Sequence, residues 1–325
     1  MPLNATLSLE SEGAVSDTPH TVAASVADLP HLEPERGPYL WVYAIVIWGI
    51  HGLAGLAVLP WLFSWSGVVL LIAGVFAFGL GINLGYHRLL AHRGLKVPRW
   101  LEYTFVTIAL CSLQDTPIRW VTHHRLHHRF TDQRKDAHSP VNGFYWSHMG
   151  WLFRGNRDTQ TIGAYSTYAH DLLGDPFYRL LERHHWISFA GYWVLAAVYF
   201  LCGFAAGWVV GGSSAAGVQL GLSVLVWGVF LRTVAVWHIT WSVNSVCHCW
   251  GYRNYETKDL SRNNWIVALL AGGEGWHNNH HWDQKSARHG HRWWEFDLTW
   301  VLIRALERVG LATNVTRPRR RRRPA

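Results

Sequence analysis

Residues 39–63 read YLWVYAIVIWGIHGLAGLAVLPWLF, and this run decides the fold. It is almost continuously apolar, broken only by Gly49, His51, Gly52, Gly55 and Pro60. About 25 residues rising 1.5 Å each are long enough to cross a hydrocarbon layer of about 30 Å. Trp61, Phe63 and Trp65 stand where an aromatic belt would meet the headgroups. A second apolar run, Gly67 to Leu84, follows within a few residues and carries Gly74, Gly79 and Gly81 for close helix contact. Two such runs joined by a short turn predict a transmembrane hairpin at 39–84. His51, inside the first span, is read as a packed or pore-facing polar residue rather than a ligand.

The pattern repeats downstream. Ile187 to Val210 and Val218 to about Trp241, joined through Gly211, Gly212, Ser213 and Ser214, predict a second hairpin at 187–241. Arg232 and His238 fall in its last span; a charge there either snorkels or faces a polar cavity. Val97 to Leu113 is apolar but short and holds Arg99 and Glu102, so it reads as interfacial or packed on a cap. Residues 1–38 form a polar tail, read as disordered and without a signal peptide. Residues 85–186 and 242–316 form two polar segments, and 317–325 a basic tail. Four spans return the chain to its starting side, so both polar segments share one face of the membrane. Lys and Arg in the long loop place that face in the cytoplasm. The expected fold is an all-α, multi-pass integral membrane protein: four transmembrane helices in two hairpins under a cytoplasmic helical cap.

Composition agrees. Half of the 325 residues are hydrophobic, 21 are tryptophan, and only 15% are charged, against about 25% in soluble domains. The net charge of +8 suits an anionic leaflet or an acidic redox partner better than nucleic acid once long apolar spans are present. Cys111, Cys202, Cys247 and Cys249 make no CxxC pair and fit a reducing compartment. Cys247 and Cys249 flank His248, but no second CxC or CxxC completes a zinc site.

Histidine carries the chemistry. On a helix through Thr122–Phe130, His124, His127 and His128 fall at i, i+3 and i+4, on one face. A solvated basic helix is the plainer reading of that stretch alone. The spacing recurs at His277, His280 and His281, and His87 with His92 supplies another pair. Three clusters in one chain point to transition-metal binding. Asn244 and His248 add an amide and an imidazole four residues apart.

These boxes, His87-x4-His92, His124-xx-His127-His128 and His277-xx-His280-His281, resemble those of membrane fatty acyl desaturases. The likeness is to the Δ9 type, stearoyl-CoA desaturase and its bacterial acyl-CoA and acyl-lipid relatives. Supporting runs are Asn244-Ser245-x-x-His248, Gly273 to His281, and Gly143-Phe144-x-x-Ser147-His148-x-Gly150-Trp151. The resemblance covers about residues 40–300. It implies a non-haem diiron (Fe2+) centre in the cap, with O2 as co-substrate. One iron would be held by His87, His92, His124, His128 and His281. The other would take His127, His248, His277 and His280, with Asn244 acting through a water. His138, His148, His289 and His291 would be supporting or structural.

The resemblance further implies an acyl tunnel bending past Gln114, Trp120 and Trp241, closed near Leu71 and Val75, with Arg183 as one basic contact for the head group. The departures lie there: animal acyl-CoA desaturases carry Asn, Arg and Asp where this chain has Asp115, Thr122 and His123. The carrier, CoA or lipid, is therefore open. The expected reaction places a cis double bond, at Δ9, in a saturated chain. The alternative is a diiron hydroxylase or monooxygenase on acyl or alkyl chains, and a non-catalytic metal carrier is disfavoured because the ligands share one side. No haem, flavin or nicotinamide motif appears, so electrons would come from ferredoxin or from cytochrome b5 with its reductase.

Overall fold

The computed structural model describes residues 37–319; nearly all of the 1–38 tail and most of the 317–325 tail lie outside the described residues. Among the described residues the chain is helical, with isolated β-bridges and no strand. Four helical stretches are long and apolar enough to cross a membrane: Trp41–Val58, Trp65–Ala91, Trp186–Gly211 and Ser214–Cys249.

The first stretch contains α1 (Trp41–Gly55), which ends in short tight turns at Leu56–Val58 and Pro60–Leu62. The Ser64 hydroxyl then accepts from the Gly67 N–H at 2.9 Å and caps α2 (Trp65–Leu80). The second stretch does not stop at Leu84. It runs on as a π-helix through Gly81–Ala91, which therefore carries the first histidine box.

The second hairpin pairs α9 (Trp186–Gly211) with α10 (Ser214–Leu225). Gly212 supplies the left-handed turn at φ 62° and Ser213 caps α10. The helices touch through glycine: a Cβ on Gly207 would lie 2.5 Å from the Ala216 carbonyl oxygen. A π-helical turn at Val226–Leu231 joins α10 to α11 (Arg232–Cys249). Outward residues such as Ile45, Val69, Val194 and Leu201 are exposed and apolar, as a lipid-facing surface requires.

Arg232 neither snorkels nor lines the cavity described below. It is fully buried, its guanidinium 3.8 Å from the Phe78 ring centroid, and it donates to the Cys111 carbonyl at 3.2 Å. A carbonyl and an aromatic face offset part of its desolvation, while Nη2 stays buried without a partner.

The remaining helices, together termed the cap, fall outside the four apolar stretches. In order they are α3 (Arg99–Leu110), α4 (Pro117–Phe130), α5 (Phe144–His148), α6 (Ile162–Tyr168), α7 (His170–Leu173), α8 (Pro176–Arg183), α12 (Trp265–Leu270), α13 (His277–Trp282) and α14 (Leu298–Arg308). Leu101, Phe105, Val106 and Ala109 on α3 are buried within the cores that also hold Ile82, Leu84, Tyr86 and Leu89. This packing fixes the π-helix that carries His87.

Candidate metal centre

The π-helix explains the first box. In an α-helix, residues five apart are rotated by about 140° and face apart. Here the His92 N–H bonds the His87 carbonyl at 3.0 Å, an i→i+5 link, and the two rings come to 4.7 Å. Thr116 caps α4 and Pro117 occupies its first turn, which presents His124, His127 and His128 on one side. His248 comes from the end of α11, and α13 carries His277, His280 and His281.

The nitrogens gather in two groups. His87, His92, His124, His128 and His280 form one; His127, His248, His277 and His281 form the other, with potential ligand atoms within 4.8 Å of each other in each group. The expected membership is thus corrected at two positions. His280 sits with the five and His281 with the four, because consecutive residues of α13 point to different sides of it. The described residues yield no such group containing a cysteine, and Cys247 is buried beside the Gly275 carbonyl. Asn244 lies inside α11 and lines the cavity beside His277 rather than capping a helix.

Carboxylates set the tautomers. Nδ1 of His87 faces Glu274 at 2.6 Å, that of His127 faces Asp136 at 2.9 Å, and those of His248 and His281 face Asp132 and Asp259 at 3.0 Å each. A carboxylate accepts, so each Nδ1 donates and each Nε2 keeps a lone pair. Two of those four lone pairs lack any protein partner. Nε2 of His127 and of His281 are buried without a partner. Others face one another: His87 and His280 at 3.2 Å, His280 and His128 at 2.9 Å, His248 and His277 at 3.1 Å. At a metal–imidazole distance of about 2.1 Å, the zinc value, ligands at right angles stand about 3 Å apart. The residues therefore fit two metal ions.

Electrostatics agrees. Burial, then neighbouring imidazoles, holds His92, His124, His128, His277 and His280 well below the ordinary histidine value, so they are neutral lone-pair donors near pH 7. Burial alone would raise Asp136 and Asp259; His127 and His138 for the first and His281 for the second hold them low instead. The pH dependence follows. Acid must protonate buried neutral imidazoles, so it costs stability below about pH 6.5, the unfolded histidine value. Metal content is expected to stay constant from pH 8 to 6.5 and to fall only in stronger acid. Metal analysis after equilibration at each pH checks this; loss beginning above pH 7 contradicts it.

The supporting carboxylates Asp132, Asp136 and Asp259 have no place in the sequence reading, and Glu274 appears there only as part of a motif. Glu274 also binds Arg88, which reaches Asp297, and stands 3.1 Å from His289. His138 lies 3.5 Å from Asp136. Asn278 and Asn279, the middle of the third box, hold that box in place: Asn278 Oδ1 accepts the Asn254 and Tyr255 N–H groups, and Asn279 donates to Glu295 and to the His289 carbonyl.

A cavity of about 790 Å³ passes beneath the histidines, lined there by His87, His124, His277 and Asn244. Gln114, Trp120, Trp241 and Val75 also line it, and Gln114 donates to Thr240 at 3.0 Å. Two residues expected as contacts lie outside this lining. Leu71 lies one helical turn beyond Val75 and outside the lining. Arg183 is on the exposed side of α8, outside the lining; its neighbour Glu182 is the residue drawn to the mouth, accepting from Arg119 at 2.8 Å. Arg119 lines that mouth with Asp115, which accepts from the Tyr43 hydroxyl at 2.7 Å.

The fatty acid desaturase family model matches residues 59–316, most of the chain. The chain belongs to the fatty acid desaturase family. It is an oxidoreductase of lipid metabolism. Similar curated proteins include an sn-1 stearoyl-lipid 9-desaturase of Anabaena variabilis, 42% identical over 85% of this chain and 93% of the relative. An acyl-CoA 5-desaturase of Anemone leveillei is 43% identical over 85% and 79%. A chloroplastic palmitoyl-monogalactosyldiacylglycerol delta-7 desaturase of Arabidopsis thaliana is 43% identical over 84% and 68%. These desaturases differ among themselves in carrier and in double-bond position.

Proposed function

We propose that this desaturase places a cis double bond, at Δ9, in a saturated acyl chain carried on a membrane glycerolipid. The balance is one –CH2–CH2– unit, O2, two electrons and two protons giving –CH=CH– and two waters. Iron ions held by the five-histidine and four-histidine groups, with Asn244 beside the latter through a water, would supply oxidising chemistry that no side chain here provides. The remaining work belongs to the chain's own residues. The carboxylates orient the imidazoles. Trp120 and Trp241 hold the acyl chain against the histidines, and the buried walls keep water from the reacting methylenes.

The observation that carries this reading is the cavity running beneath both histidine groups. Its other end supports the carrier. Trp41 and Val42 at the start of α1, and Trp186 and Phe189 at the start of α9, line the cavity although all four are exposed on the lipid-facing surface. At that opening Arg119 is balanced by Asp115 and Glu182. An opening toward lipid, with its cation neutralised, suits a chain entering from the leaflet better than a polyanionic nucleotide carrier. The cap and its metal centre are assigned to the cytoplasmic face, where ferredoxin or cytochrome b5 would supply electrons.

The test supplies stearoyl phosphatidylcholine in liposomes, or stearoyl-CoA, to the full-length protein with iron, O2 and a reduced donor. Double bonds in the lipid pool alone are expected. Turnover of stearoyl-CoA alone would overturn the carrier assignment, and a hydroxylated product would replace the reaction assignment.

A further inference from the structure

Three imidazoles outside the metal centre form a chain among the spans. His51 Nδ1 lies 2.7 Å from the Ile47 carbonyl oxygen, and its Nε2 lies 3.1 Å from Nε2 of His238. His238 Nδ1 is 2.8 Å from His148 Nε2, and His148 Nδ1 is 2.9 Å from the Ser245 hydroxyl. The Ile47 carbonyl only accepts, and this fixes every proton in the neutral chain. His51 carries its proton on Nδ1, so His238 donates to it through Nε2. His148 in turn donates through Nε2 to His238, and the Ser245 hydroxyl, 2.9 Å from His148 Nδ1, has the Trp241 carbonyl at 3.0 Å as the second acceptor for its one proton. One orientation satisfies both ring–ring contacts and the Ile47 carbonyl, and it ties α1, α11 and α5 together.

Polar groups inside a membrane-spanning bundle are costly and serve function by default. What stands against this chain is the cavity wall. The Trp241 ring lies edge-on to His238 and His148, with centroids 5.1 and 5.8 Å away. Trp237 lies 5.8 Å from His51 and stacks on Trp241 at 5.7 Å. Trp237, Trp241 and Ile47 line the cavity, while the imidazoles stand behind them, outside the lining. Thr240, beside Trp241 in sequence, receives the Gln114 amide, so the same wall is held from the other side as well.

We propose that His51, His238 and His148 are positioning residues that hold Trp237 and Trp241 and thereby set which pair of methylenes faces the metal centre. The proposal rests on the desaturase reading above. Acyl registers one methylene apart bury nearly the same apolar area, so the shape of the wall, not the total burial, must separate them. One net hydrogen bond corresponds to roughly fivefold in a ratio of competing states.

The test compares double-bond positions in the products of the parent, His238→Leu and His238→Asn proteins, with iron content measured on each. The leucine variant is expected to raise the share of off-position isomers about fivefold at parental iron content. The asparagine variant, whose Oδ1 still accepts from His148, is expected to raise it less. If His238→Leu does not accumulate, His51→Leu at the far end of the chain gives the same readout. A parental isomer distribution in an iron-replete but slower variant overturns the proposal and leaves the chain a structural tie. If the parent forms no double bond at all, the desaturase reading fails and takes this proposal with it.

Discussion

Glu274→Ala is expected to destabilise the histidine-bearing cap by about 3–5 kcal/mol, the usual cost of leaving one member of a buried ion pair without its partner. Glu274 is buried, and its Oε1 accepts from both Nε and Nη2 of Arg88 at 3.0 and 2.9 Å. Its Oε2 accepts from Nδ1 of His87 at 2.6 Å. Burial alone would raise the pKa of this carboxyl, but Arg88 and then His289 and His87 hold it well below the usual range, so it is ionised throughout the physiological range. Removing it leaves Arg88, itself fully buried, with Asp297 and the Ala287 carbonyl only. It also frees His87 to turn away from the five-histidine group. Thermal unfolding and iron content, measured on the same preparation, are both expected to fall. An unchanged melting temperature with full iron would contradict this account of the cap.

The second large effect is catalytic. His280→Ala removes the imidazole whose Nε2 stands between those of His87 and His128, at 3.2 and 2.9 Å. Loss of partners that only orient ligands costs roughly 10–100-fold, so loss of a ligand position should lower turnover by more than about 100-fold. The fold should survive, because Asn278 and Asn279 on the same helix keep their bonds to Tyr255 and Glu295. His291→Ala is the control. His291 faces the Tyr255 hydroxyl at 3.0 Å and belongs to neither histidine group. Product formation per folded protein separates the two variants; similar activity in both would remove His280 from the centre.

Much of this was legible in the sequence for physical reasons. Apolar runs of span length have few alternatives, and the i, i+3, i+4 spacing of His124, His127 and His128 survives in any helix. What was not legible depended on tertiary placement. The shared face of His87 and His92 needs a π-helix, which an α-helical reading of His87-x4-His92 misses. The division of His280 from His281 depends on where α13 sits between the two groups, which spacing does not encode. Asp132 and Asp136 lie just after the second box, yet aspartate in a polar loop carries no sign of which imidazole it meets. Arg183 was one residue from the mouth network, whose member is Glu182. Leu71 lies one helical turn from Val75, outside the lining that Val75 joins.

Lipid analysis of a desaturase-deficient host expressing the chain, beside a His127→Ala control, tests the central claim most directly. His127 is buried, its Nδ1 held by Asp136 and its Nε2 without a protein partner, which is the arrangement a metal ligand needs. The account predicts monounsaturated acyl chains in the membrane lipids of the parent strain and none above background in the control. Equal unsaturation in both strains, or no unsaturation in the parent with iron bound and a competent electron donor present, would contradict it.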